Sequence, residues 1–210
     1  LLALLRVARR GGRIGAPRSF GLGHLLLALY YIDENTRVSR EKLGMQLGLG
    51  GGAVKSLISK LRESSLIRTL KGGNVLSDDG LKIVRGLRAV VPSISGISVR
   101  SLSTGKENVA AIIRGVDMKG LDPISIRDDV IRAGGTGATT LLFDGNSIRV
   151  PSVYDDLAAI SSTDVKALSR LNLQKGDIIL IAGGTNRQAA GIACAAAIAG
   201  LLSGCLRKRS

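Results

Sequence analysis

The 210-residue chain has no tryptophan, and its aromatic side chains are only Phe20, Tyr30, Tyr31, Phe143 and Tyr154. Modules that bind RNA or single strands stack bases on aromatic platforms, so this scarcity argues against them. Histidine occurs once, as His24, and cysteine twice, as Cys194 and Cys205. No Cys/His metal spacing and no Ser/His/Asp arrangement can be assembled from that supply. The two cysteines are eleven positions apart. On one helix about 16 Å of rise would separate them, too far for a disulfide. They read as reduced thiols of a cytoplasmic protein. The longest apolar stretch, Ala189 to Leu202, has fourteen residues, mostly small. A membrane span needs about 20, so a buried helix is expected, with no membrane partner. The first residue is Leu rather than Met, which leaves a preceding segment open.

Acid is also scarce: 16 Asp and Glu stand against 30 Lys and Arg, a net charge of +14. An excess of that size points to a polyanionic partner. It is unevenly placed. Residues 1–95 hold 16 basic and 6 acidic residues, whereas residues 96–210 hold 14 and 10, three of the bases being the terminal Arg207, Lys208 and Arg209. The polyanion surface is therefore expected in the first half. The Pro/Ser/Gly-containing segment 91–96 reads as a linker. The expected organisation is a basic arm at 1–20, a first domain at 21–90 and a second at 97–204. With 45% apolar residues, the chain has enough material to bury a core.

The arm carries Arg6, Arg9, Arg10, Arg13 and Arg18 among glycines. Residues 22–32 are apolar around most of a helix, ending before Asp33-Glu34-Asn35, and His24 within it reads as a packed or capping residue. Ser39 offers an N-cap with Glu41 in the first turn, where the helix dipole favours an anion, and Gly48 stops this short helix. In residues 51–63, Val54, Leu57, Ile58 and Leu61 form one apolar stripe at helical spacing. The opposite face holds Gly52, Lys55, Ser56, Ser59, Lys60 and Arg62, and is almost free of acid. Residues 67–70 and 74–76 read as strands about a Lys71-Gly72-Gly73 turn. Ser77-Asp78-Asp79 then opens a helix to about Leu87. Helix, helix, glycine turn, helix, hairpin, helix is the order of a winged helix-turn-helix, which suits duplex DNA. The third helix enters the major groove, while Arg68 and Lys71 on the hairpin reach the backbone.

The stretch "LGMQLGLGGGAVKSLISKLRESSLI", followed by "GGNVLSDDGLKIV", resembles the archaeal winged-helix transcriptional regulators. The whole chain resembles an uncharacterised archaeal family that joins such a domain to a C-terminal α/β domain of unknown function. The resemblance implies DNA-reading positions at Gly51, Gly52, Lys55, Ser56, Ser59 and Lys60, with Lys71 in the wing; Arg40, Arg62 and Arg68 complete the expected basic surface. Many relatives start the reading helix with Ser or Thr. This chain has Gly50-Gly51-Gly52, where backbone N–H groups would meet phosphate instead.

In the second half, residues 97–102, 109–114, 138–143, 147–150 and 177–182 read as strands. Helices are expected from a Ser125 cap to Gly134, at 154–160, at 165–171 and at 188–202. The expected fold is α+β: an N-terminal winged helix-turn-helix domain followed by a separate mixed α/β domain. The strand-to-helix junction Gly183-Gly184-Thr185-Asn186-Arg187 is the most site-like feature there, suited to a small anionic effector. It is neither GxGxxG nor a P-loop. Asp128-Asp129 and Asp155-Asp156 read as caps or solvated acids. The expectation is a DNA-binding transcriptional regulator rather than an enzyme, needing no cofactor and no metal. Its partners would be double-stranded DNA, a small effector and a second copy, since two-fold operators favour homodimers. Two alternatives stand beside it. One is a nucleotide-dependent enzyme, because residues 183–186 resemble the nucleotide loop of archaeal riboflavin kinases that carry a winged helix; here, however, they open an Ala-rich helix near the chain's end. The other is a scaffold that docks protein through its winged helix.

Overall fold

The structure is a computed structural model that describes residues 20–116 and 121–207. The arm expected at 1–20 and its arginines lie outside the described residues, Phe20 apart. The fold is mixed α+β, with seven α-helices among the described residues and two antiparallel sheets. The chain divides into two compact units. One comprises the described residues up to Leu87 together with the chain from Ile198; the other is Arg88–Ala197.

In the first unit α1 (Leu22–Asn35) buries Leu25, Leu26, Ala28, Leu29, Tyr30 and Ile32. His24 caps it, its Nδ1 accepting from the Gly21 N–H at 3.2 Å. Burial lowers the imidazole pKa, which keeps that ring nitrogen free to accept. The helix runs three residues beyond the expected end. The Asn35 amide donates back to the Tyr31 carbonyl at 2.8 Å, and Thr36 stops the helix with φ +60°. Ser39 caps α2 (Arg40–Leu47), accepting from the Lys42 N–H, and Gly48 ends it in the left-handed conformation. Then follow α3 (Gly51–Glu63), β1 (Ile67–Leu70) and β2 (Gly73–Leu76), the strands paired from Ile67↔Leu76 to Leu70↔Gly73. A single bridge, Val38↔Asn74, adds the segment between α1 and α2 to the hairpin.

Ser77 caps α4 (Asp78–Val90), accepting from the Gly80 N–H at 3.0 Å and donating to the Ser65 carbonyl. The first turn of α4 presses on the backbone that leaves α3. A Cβ on Gly80 would lie 2.0 Å from the Leu66 carbonyl oxygen. Gly86, in the same helix, has nothing within 4 Å of such a Cβ.

The second unit is built on a five-stranded sheet of order β3-β4-β7-β5-β6. Its strands are β3 (Ile94–Ile97), β4 (Glu107–Ile113), β5 (Gly137–Phe143), β6 (Ile148–Arg149) and β7 (Ile178–Gly184). Every neighbouring pair is antiparallel. The unit mixes helices and strands, as expected, around an antiparallel sheet. The last strand, β7, inserts between β4 and β5. Those two run the same way and never touch as a pair. One face of the sheet packs Val99, Leu102, Ala110, Leu141, Ile148, Leu157, Leu168, Ile179 and Ile181 into a core.

Four expectations in this unit are corrected. Residues 94–97 are an edge strand rather than a linker, because β4 is buried from Asn108 to Ile113 and pairs on both sides. The segment after it is not a strand. Its N–H groups turn instead to the buried Asp164 carboxylate, which accepts from Arg100, Ser101 and Leu102 at 2.8, 2.9 and 3.1 Å. The helix expected from Ser125 starts earlier as α5 (Pro123–Arg132), with Asp122 as the cap and proline in its first turn. The helix expected at 154–160 is only a 3₁₀ turn at Leu157–Ala159, since Val150 and Tyr154 exchange both backbone hydrogen bonds around Ser152 at φ +63°. Ser161 caps α6 (Ser162–Leu168), and a 3₁₀ turn, Ser169–Leu171, completes the remaining expected helix.

Asp144 turns the chain from β5 to β6. The backbone N–H of Ser147 and of Asn146, with the Ser147 hydroxyl, hold its carboxyl at about 2. At the start of β7, Asp177 is buried and takes two hydrogen bonds from Arg114, at 2.9 and 2.8 Å, and one from the Gln174 N–H at 2.7 Å. Burial pushes its carboxyl up, but the Arg114 hydrogen bonds, the Gln174 N–H and the guanidinium charge outweigh burial and hold it below the ordinary range.

The last helix, α7 (Arg187–Arg207), buries Ala190, Ala193, Cys194, Ala197 and Ile198. Burial pushes the Cys194 thiol up to about 12, so it stays protonated. The window Arg187–Gly204, with a mean hydropathy of 1.2, is long and apolar enough to cross a membrane, and 56% of it is buried within the protein. Burial of that extent is the pattern of a core helix.

Two predictions follow from this packing. Gly80→Ala should lower stability by about 3 kcal/mol, because the Leu66 backbone cannot yield, whereas Gly86→Ala should leave it unchanged or raise it by up to about 1 kcal/mol; thermal unfolding of both variants checks the contrast. Asp177→Asn should cost about 2–3 kcal/mol at pH 7, because Arg114 loses its counter-charge while remaining partly exposed to water. The folded-state pKa of Asp177 lies below its unfolded value. Its contribution is therefore present above about pH 4 and lost as pH falls through the folded pKa. Denaturant midpoints between pH 7 and pH 3 should drop for the native protein and drop less for Asp177→Asn.

Candidate nucleic-acid interface

The interface starts from the one-sided packing of α3. Val54, Leu57 and Leu61 are 1%, 0% and 0% exposed, and Ile58 is half-buried beside them. Burying that stripe turns Gly51, Gly52, Lys55, Ser56 and Arg62 outward, and all five are exposed. Ser59 and Lys60 are half-buried at the flanks. The Ser56 hydroxyl donates to the Gly52 carbonyl at 3.1 Å, so it keeps its lone pairs for a ligand donor.

One expectation about this face is corrected. It is not acid-free, because Glu63 projects from the last turn on the outward side and its carboxylate accepts from the Ser59 hydroxyl at 2.8 Å. Glu63 offsets part of the positive charge that Lys60 and the exposed Arg62 place at that end. The part of the face free of acid is the N-terminal half, Gly51 to Ser56, which carries Lys55, and Ser59 is engaged within the helix.

The glycines that open α3 are not needed by the fold. Gly50 has φ −66°, neither Gly51 nor Gly52 has positive φ, and a Cβ at any of the three would meet nothing within 4 Å. Glycine inside a helix costs up to about 1 kcal/mol relative to alanine, so Gly51 and Gly52 weaken α3 without relieving any clash, while Gly50 stands at the N-cap, where glycine is well tolerated. What they supply is a bare backbone at the positive end of a helix dipole.

Arg68 on β1 and Lys71 at the turn are exposed, as is Arg40 in the first turn of α2. The structure adds a residue that sequence reasoning missed. Arg37 donates from Nη1 to the Lys71 carbonyl at 3.2 Å, and its aliphatic stem lies against Gly72 and Gly73. A Cβ on Gly73 would lie 2.7 Å from the Val38 carbonyl oxygen, so glycine lets this segment close onto the hairpin. The buried Asn74 fixes the approach: its side-chain amide donates to the Val38 carbonyl at 3.1 Å and its Oδ1 accepts from Thr69 at 2.9 Å. No periodicity links residue 37 to residue 71, and only the buried polar Asn74 between apolar neighbours hinted at a cross-connection.

The junction expected to hold an anion is occupied by its own structure. Gly183 and Gly184 are buried in β7, paired on both sides at Gly183 by Asn108 and Gly137. A Cβ on Gly183 would lie 2.4 Å from the Thr104 carbonyl carbon, and one on Gly184 would lie 2.5 Å from the Ala190 nitrogen, so close backbone packing accounts for both. Asn186 caps α7, accepting from the Ala189 N–H at 2.8 Å, which uses the donor assigned to a ligand. Arg187 lies over Gly96 and faces Glu107 at 3.8 Å. Thr185 is exposed. Among the described residues, no three His, Cys, Asp or Glu side chains cluster as metal ligands. The paired acids have local duties: Asp128 and Asp129 meet Arg127 and Arg132, and Asp156 caps the 3₁₀ turn.

Comparison with known proteins adds a fold and a domain type. Among curated proteins, none matches the sequence. The chain is similar to a solved structure described as hypothetical protein PH0730 from Pyrococcus horikoshii OT3. The identity is 22% over 87% of this chain and 92% of that one, with a TM-score of 0.71, a likeness that shows the fold alone. Residues 104–201, which hold most of the five-stranded sheet, match the family described as a domain of unknown function, DUF4443.

Proposed function

We propose that the first unit is a winged helix-turn-helix and that the protein is a cytoplasmic transcriptional regulator that binds duplex DNA. One observation carries the reading: the buried stripe of α3 turns a small, hydroxylated and cationic N-terminal half outward, in a unit whose hairpin offers two more exposed cations. The element order, three helices, a hairpin and a fourth helix, supports the same conclusion.

In this reading the N-terminal half of α3 lies in the major groove. Lys55 and Ser56 reach base edges, while the bare backbone of Gly51 and Gly52 lets a phosphate approach the free N–H groups closely. Arg68 and Lys71 contact the sugar-phosphate backbone beside the groove. Glu63 lowers the positive charge of the C-terminal end of the helix, where Arg62 is exposed. The second unit dimerises the regulator or binds its effector. The Gly183–Arg187 junction lends no support to effector binding, because its residues serve packing, capping and an ion pair.

Fluorescence anisotropy with genomic duplex fragments at a series of salt concentrations tests the reading. Affinity should fall steeply with salt. Lys55→Ala should cost about 1–2 kcal/mol and relax discrimination between duplexes, while Lys71→Ala should weaken all duplexes alike and reduce the salt slope by about 1. A protein that binds no duplex at low salt would overturn it.

A further inference from the structure

A cleft of about 450 Å³ opens on the first unit between the end of α1 and α2, lined by Tyr31, Asn35, Arg37, Lys42 and Gln46 with Val38 and Met45. Val38 is buried beneath it; Asn35, Arg37, Lys42 and Gln46 are exposed. Two of the lining side chains are cations and none is a carboxylate. Arg37 is shared between this cleft and the hairpin, through its hydrogen bond to the Lys71 carbonyl at 3.2 Å. Its guanidinium has five N–H donors in a fork, and that bond uses one of them. Arg37 thereby joins the cleft to the hairpin turn, where Lys71 is exposed.

We infer that this cleft is a second phosphate-binding subsite, which takes the backbone of a DNA strand running past the hairpin, with Arg37 and Lys42 as the phosphate-contacting residues. The inference rests on the duplex-DNA reading and extends it from the groove to the flanking backbone. The chemistry matches: a phosphodiester needs cationic and neutral donors around its two free oxygens, and the lining offers a guanidinium, an ammonium and two side-chain amides. The cleft is open rather than enclosed, which suits a continuous strand. Because its groups face the backbone, the subsite adds affinity and register but no base preference.

The test measures duplex affinity against salt for the native protein and for Lys55→Ala, Lys42→Ala, Arg37→Ala and the Arg37→Ala/Lys42→Ala pair. The double variant should bind all duplexes at least about tenfold more weakly at 0.1 M salt, with the salt slope reduced by about 2 and sequence preference intact. Lys42→Ala alone should reduce the slope by about 1. That variant leaves the Arg37 bond to the hairpin in place, so a displaced hairpin cannot explain its loss. If Lys55→Ala weakens binding while the cleft variants match the native protein, the subsite is refuted and the groove reading survives. If the native protein binds no duplex, both fall. A parallel titration with inorganic phosphate, followed by amide signals at Arg37 and Lys42, separates the sources. Saturation there at low millimolar phosphate, with duplex affinity indifferent to both substitutions, would make this a free-phosphate site and overturn the inference.

Discussion

Burial of Val54, Leu57 and Leu61 is the constraint on which the candidate interface depends. At about 1.5–3 kcal/mol for each fully buried aliphatic side chain, the stripe fixes the rotation of α3 about its own axis far more firmly than any surface charge could. Once that rotation is set, Lys55, Ser56 and the two bare glycines have only one side to face. The cations contribute little to stability, being exposed, so their position is a by-product of the core. This is why exposed side chains can still be presented in a defined geometry.

The first unit was largely legible because its signals are local. The stripe of α3, the Ser39 and Ser77 caps, the glycine after α2 and the turn at Gly72 each depend on neighbours within a few positions, and each stands where the sequence suggests. Of the candidate site, the outward direction of Lys55 and Ser56 was readable for the same reason. Arg37 was not, because its link to Lys71 spans 34 positions and depends on the backbone closing at Gly73. The Ser59 link to Glu63 was missed for a different reason: helical spacing predicts such a pair, but the apolar stripe drew attention to the opposite face.

The second unit was harder to read because its organisation is non-local. Asp164 holds residues 100–102 from across more than sixty positions, and nothing in its own neighbourhood distinguishes it from a solvated acid. Likewise, strand signals reveal that β7 exists but not that it enters between β4 and β5. Asp177, next to the apolar run of β7, is the sort of charge that survives burial only with a partner, yet its partner Arg114 lies 63 positions away. A carboxylate beside a buried strand could have been flagged as paired, but not with which residue.

The glycines divide by what they are for, and both kinds occur in the first unit. At Gly80, Gly183 and Gly184 an added methyl group would strike backbone within 2.0–2.5 Å, so the fold demands glycine there. At Gly50, Gly51 and Gly52 it would strike nothing. Packing therefore does not ask for glycine there, nor at Gly86 in α4. Under the duplex-DNA proposal, glycine at the start of an outward-facing helix in a strongly basic segment admits the close approach of an anionic backbone, which a side chain would hold off. The same glycine motif at the Gly183–Gly184 junction looked more like a ligand site in sequence, and its packing shows why composition alone cannot tell the two uses apart. The discriminating quantity is the space where the Cβ would be.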